Sequence, residues 1–246
     1  MPTTSDETQP THDRLVAAFF SLVGLIAKLR SPGGCPWDVR QTEESVKIYV
    51  LEEAYEVLDA IEKGSPGDLC GELGDLLFQV LFLARMAEEK GHFMLIEVLE
   101  RITKKMIHRH PHVFGSTTVR TAEEVAENWD KIKKQERGAV ESSPKLLMDV
   151  PAGLPALLRA HRLMERGGRL RSTQGQGVRV LKDAEEAFLS LRKNVEGKNK
   201  EAIGDDIGRS LFLLADLARQ WGWNAESLLR KANEEFLKSF EKAEEP

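Results

Sequence analysis

This chain repeats itself, and the repeat restricts its fold more than any other feature. The segment ELGDLLFQVLFLARMAEEKG from Glu72 aligns with DIGRSLFLLADLARQWG from Asp206, and upstream of them LEEAYEVL from Leu51 aligns with AEEAFLSL from Ala184. The spacing between the two motifs differs by only one residue between the copies. Each motif carries apolar residues at the three- and four-residue intervals of an amphipathic helix. A repeated helical unit predicts an all-α protein of two tandem bundles.

The remaining segments agree. Leu15 to Arg30 has apolar residues at helical period and stops at SPGG. The loop CPWDVRQT leads to a helix over Glu43 to Lys63, ended by Gly64 and Pro66. Further helices are predicted over Asp68 to Lys90 and Met94 to His110, the latter stopped by Pro111. After the turn HPHVFGSTTVRT, with Val113-Phe114 the one short extended candidate, TAEE forms a capping box and starts a helix to Arg137. The small, polar and proline residues of GAVESSPKLLMDVPA mark a boundary. The expected organisation is a disordered tail over residues 1–13, a first repeat over 14–137, a linker over 138–152 and a second repeat over 153–246.

Composition narrows the function classes. With 41% hydrophobic and 30% charged residues, the chain has the make-up of a soluble globular protein, and 7% aromatic content favours helix over strand. Lys and Arg alternate with acids in a chain of net charge -5, which argues against a nucleic-acid surface. The longest apolar stretch, Leu73 to Met86, is broken by Asp75, Gln79 and Arg85, so no membrane span is expected. MPTTSDETQPTHDR lacks the basic start and apolar stretch of a signal peptide. Cys35 and Cys70 form no CxxC and no disulfide framework, and a reducing, cytoplasmic location is expected. Cys35 lies in a Gly-Pro turn without an evident base and reads as structural.

The chemistry concentrates in five acids. Glu52, Glu53 and Glu56 lie on one predicted helix, and Glu72 and Asp75 on the next. Within each helix, Glu53 and Glu56, and Glu72 and Asp75, share a face with an offset of about 4.5 Å. If the helices pack antiparallel, four acids converge beside an apolar core, where like charges repel and desolvation is costly. A divalent cation offsets that cost, and Mg²⁺ characteristically takes a few carboxylates, water and substrate phosphate. The pattern points to metal-assisted phosphate chemistry.

The second copy keeps the apolar positions and loses the chemistry. Glu185 and Glu186 match Glu52 and Glu53, but Leu189 stands for Glu56 and Arg209 for Asp75. One helix later, Glu235 replaces Lys105 and Ser239 replaces Arg109. The second repeat therefore reads as degenerate, a structural partner of the first.

The motifs GCPWDxxQT, LEEAYEVLDAI, GELGDLLFQVLF, RHPHVFG and WDKIKKQER, in that order over Leu29 to Arg137, resemble MazG-type nucleoside triphosphate pyrophosphohydrolases. VPAGLPALLRAHRLMERGG and LLRKANEEF resemble the C-terminal half of two-repeat members. The resemblance implies hydrolysis of NTPs or dNTPs to NMP or dNMP and pyrophosphate with Mg²⁺, for which Mn²⁺ can substitute. It implies metal ligation by Glu53, Glu56, Glu72 and Asp75, with catalytic roles for Glu52 and Glu53. By the same resemblance Lys105 and Arg109 bind the triphosphate, Trp129 and Lys133 the nucleotide, and the working state is a homodimer.

Other readings stand beside these. Trp129 lies at helical spacing from Val125 and Ile132, which fits a core tryptophan as well as a base platform. Trp37 fits a packing anchor for its turn better than a ligand contact. His108, His110 and His112 invite a zinc site, but Pro111 breaks the helix between them. A di-iron carboxylate bundle needs Glu-x-x-His on two helices, and only Glu89 to His92 has that spacing. A non-catalytic helical module that binds a nucleotide or a protein is the alternative to the enzyme.

Overall fold

A computed structural model describes residues 8–137, 145–170 and 176–241, and no strand occurs among them. The chain divides into two compact units, Met1–Trp129 and Asp130–Pro246. The expected end of the first repeat at 137 lies eight residues beyond this division, and residues 1–7 and 138–144 lie outside the described residues.

The first unit opens with α1 (Thr8–Leu29), which begins seven residues before the expected start at Leu15. Pro10 falls in its first turn, where a missing N–H is tolerated, so residues 8–13 of the expected tail are helical. The CPWD loop holds a short helix, α2 (Pro36–Arg40), with Pro36 at its start. Next come α3 (Glu43–Lys63) and α4 (Pro66–Glu89). Thr42 caps α3, accepting from the Ser45 amide at 3.2 Å, and Ser65 caps α4 with a reciprocal Asp68. α5 (Leu95–Arg109) ends before Pro111, as the steric rule for the residue preceding proline requires. The expected extension at Val113-Phe114 is instead α6 (Pro111–Phe114): Pro111 presets φ, and the amides of Val113 and Phe114 both donate to the His110 carbonyl. α7 (Ala122–Arg137) starts at the expected Thr121 cap, although Glu124 reaches back to the Arg120 amide and not to that of Thr121.

α3 and α4 are the most extensively packed pair of this unit, and α1 and α5 lie on α4. The core consists of Ile26, Val46, Leu81, Phe82 and Met86, so one face each of α1, α3 and α4 is buried together. Phe82 stacks on Phe78 with ring centres 5.5 Å apart.

In the second unit, α8 (Lys145–Met148) precedes α9 (Ala156–Leu170), α10 (Gln176–Glu196), α11 (Lys200–Gln220) and α12 (Ala225–Glu241). The pairing repeats that of the first unit: α10 packs on α11, and α9 and α12 lie on α11. The core is built largely from alanines, with Ala160, Ala215, Ala218 and Ala225 clustered. α4 and α11 also end alike. Gly91 and Gly222 take φ of +66° and +78°. The bonds His92 N–H to Ala87 and Gly91 N–H to Glu88 recur as Trp223 to Ala218 and Gly222 to Arg219. This is the same left-handed glycine cap in both units. No helix among the described residues is long and apolar enough to cross a membrane.

Candidate functional site

The antiparallel α3–α4 hairpin brings Glu53, Glu56 and Glu72 together, each offering a carboxylate oxygen within 4.8 Å of the others. Among the described residues this is the one group of three or more His, Cys, Asp or Glu side chains close enough to share an ion. The histidines of HRHPH form no such group there; the His110 and His112 rings stand 5.6 Å apart, with His110 Nδ1 held 2.6 Å from the Met106 carbonyl.

The surroundings of the carboxylates disfavour their ionisation. Burial, with the neighbouring Glu56 and Asp75, raises the Glu53 carboxyl above its ordinary value, against the opposing hydrogen bond from Gln79. Burial also raises Glu72, followed by the charges of Glu56 and Asp75. Groups that resist ionisation beside one another are relieved by a cation. An all-oxygen donor set, from half-buried Glu53 and Glu72 and exposed Glu56, fits a hard divalent ion.

Asp75 is exposed on α4, within electrostatic reach of Glu53 and Glu72 but outside the group of three. Glu52 is exposed on α3 and is also outside it. Lys105 is exposed and Arg109 half-buried, both on α5, the helix that packs against α4. Trp129 is half-buried with its ring 5.6 Å from that of His110, so its surroundings are partly those of a packed side chain. Lys133 follows one turn later on α7, in the second unit. Trp37 remains 56% exposed beside Tyr49, their ring centres 6.0 Å apart.

Gln79, which in the sequence only interrupts an apolar stretch, also faces this group. Its Nε2 donates to Glu53 Oε1 at 3.4 Å. The signal was available: Gln79 lies four residues after Asp75 and seven after Glu72, on the acidic face of an otherwise apolar stretch.

The corresponding place in the second unit is built differently. Asp206, matching Glu72, accepts hydrogen bonds from Ser190 at 3.0 Å and Asn194 at 2.8 Å. These donors stand where the first repeat has Val57 and Ile61. Leu189 and Arg209, replacing two acids, are both exposed.

The fold and site define an all-helical protein that gathers acids between two paired helices. Residues 41–114, which hold the whole acidic hairpin, match the MazG nucleotide pyrophosphohydrolase domain. A nucleoside triphosphate pyrophosphohydrolase of Escherichia coli (strain K12) is 40% identical over 91% of this chain and 86% of its own. A Thermotoga maritima protein named nucleoside triphosphate pyrophosphohydrolase/pyrophosphatase MazG is 37% identical over 92% of this chain and 86% of its own. A crystal structure of a MazG-related protein from Thermotoga maritima covers 46% of this chain and 96% of that one, at 27% identity and a TM-score of 0.40. The chain belongs to the MazG family of nucleotide pyrophosphohydrolases, hydrolases of phosphoanhydride bonds.

Proposed function

We propose that this chain hydrolyses nucleoside and deoxynucleoside triphosphates to the monophosphate and pyrophosphate, in a cation-dependent site of the first repeat. The observation that carries the reading is the convergence of Glu53, Glu56 and Glu72 within the segment that matches the family domain. Glu53, Glu56 and Glu72 would hold Mg²⁺, or Mn²⁺ in its place, with Asp75 joining from the same face of α4. When bound, the cation supplies charge neutralisation at the phosphates and polarises the attacking water. Glu52 is assigned the proton that this water loses, with Glu53 beside it. Lys105 and Arg109 bind the triphosphate and offset the charge that develops on the departing pyrophosphate. Trp129 and Lys133 contact the nucleotide. Water adds its oxygen to the α-phosphorus, the bond to the α,β-bridging oxygen breaks, and pyrophosphate leaves.

The second repeat is a structural partner in this account. Its Asp206 is committed to Ser190 and Asn194, and Leu189 and Arg209 supply no ligand oxygen. The working state is a homodimer in the cytoplasm: Leu58 and Ile61 on α3 and Leu73, Leu77 and Val80 on α4 are exposed apolar residues that a second copy would cover. Incubation of the purified chain with a panel of NTPs and dNTPs and Mg²⁺ tests the activity. Release of monophosphate and pyrophosphate in equal amounts is expected, and their absence with every substrate would overturn the proposal in favour of a non-catalytic module.

A further inference from the structure

We infer that Gln79 is a positioning residue for the first repeat's carboxylates, its side-chain amide orienting Glu53 for the cation. The inference rests on the metal reading above. Gln79 is half-buried on α4, and its Nε2 reaches Glu53 Oε1 on α3 at 3.4 Å, so the bond crosses the hairpin that assembles the site. Its flanks, Leu76 to Phe78 and Val80 to Leu83, are all apolar. A polar amide in that register has a desolvation cost that a leucine would avoid, and it is met by a partner in the acidic group.

The chemistry of the amide suits the task. Glu53 is crowded by Glu56 and repelled by Asp75. A lysine in place of Gln79 would neutralise the carboxylate and compete with a cation. An amide donates a hydrogen bond and leaves the negative charge available, which is how groups behind a metal ligand commonly fix its orientation. At 3.4 Å the bond is long and contributes little to fold stability.

The second unit supplies an independent comparison. Position 213, which matches Gln79 in the helix alignment, is leucine. That unit has also lost the acids matching Glu56 and Asp75. The amide is present where the acid set is complete and gone where it is broken.

Gln79→Met removes the donor at nearly constant volume, and Gln79→Leu copies the second unit. The test is calorimetric titration of the 246-residue chain with Mn²⁺ in the absence of nucleotide, together with urea unfolding of each metal-free protein. Both variants are expected to bind Mn²⁺ about tenfold more weakly than the parent, with metal-free stability no lower than the parent's. Parent-like Mn²⁺ affinity in both variants would overturn the assignment. So would an affinity loss matched by an equal loss of metal-free stability, which marks a packing role. A parent chain that binds no Mn²⁺ would instead overturn the metal reading itself.

Discussion

Arg30→Met removes the cation that ties three elements of the first unit together. The Arg30 side chain is 8% exposed, and its Nε and Nη2 donate to the Glu89 carboxylate on α4 at 3.1 and 2.7 Å. Nη1 donates to the Asp38 carbonyl of α2 at 2.6 Å, and the guanidinium lies 5.1 Å from the centre of the Phe82 ring. Deleting one partner of a buried ion pair costs about 3–5 kcal/mol when the other stays buried. Glu89 is 28% exposed and keeps its bond from Arg85 at 3.0 Å, so it recovers water readily. Methionine also retains part of the apolar stem's packing. The low end of the range applies, about 3 kcal/mol.

The sign of the pH dependence follows from Glu89. Its hydrogen bonds from Arg30, opposed by burial and helped by Arg85, hold its carboxyl below the ordinary value near 4.5. The stability from this group is fully present above that value and is lost as pH falls through the lowered one. The Arg30→Met penalty is therefore largest near neutral pH and shrinks in acid. Native-state hydrogen exchange of α1 and α4 amides reads the first unit alone, which matters because a two-unit chain need not melt in one step. Urea unfolding at a series of pH values supplies the pH dependence. A loss below about 1 kcal/mol, or one of equal size in acid and at neutrality, would refute the reasoning.

The other predictions concern the same unit. Because burial and neighbouring acids raise Glu53 and Glu72, their contribution to metal-free stability is full below the ordinary value near 4.5 and is lost as pH rises through their raised values. Mn²⁺ should accordingly release protons on binding in that window and bind more weakly as pH falls, which calorimetry in buffers of different ionisation enthalpy measures. Phe82→Ala empties a position that is 2% exposed and should cost about 3–5 kcal/mol in denaturant unfolding. Ser65→Ala removes the α4 cap and should cost about 1 kcal/mol, read as faster hydrogen exchange confined to the first turn of α4.

The ends of α3 were legible because the loop CPWDVRQT precedes its amphipathic run and Gly64 and Pro66 follow it. Helical period puts Glu53 and Glu56 on one face of α3 and Glu72 and Asp75 on one face of α4, and the hairpin brings three of these four acids together. What the sequence did not disclose follows from local competition. Pro36 and Pro111 read as turn residues, yet each also suits the first position of a helix, and short helices form at both. Asp75 matches its partners in spacing, but exposure depends on how the hairpin packs, and it ends outside the tight group. Gln79, one amide in an apolar run, is chemically ambiguous in the sequence until its partner Glu53 is known. Trp129 stayed divided between core and platform, and its contact with His110 is a tertiary one that spacing along α7 does not reveal.

The central claim is that the first repeat alone carries the chemistry, and parallel substitutions in the two repeats test it most directly. Steady-state release of pyrophosphate from a turned-over nucleoside triphosphate should be abolished by Glu53→Gln and by Asp75→Asn, and left near the parent rate by Glu185→Gln and Glu186→Gln. Turnover that survives both first-repeat changes and is lost on substitution of Glu185 or Glu186 would contradict the account.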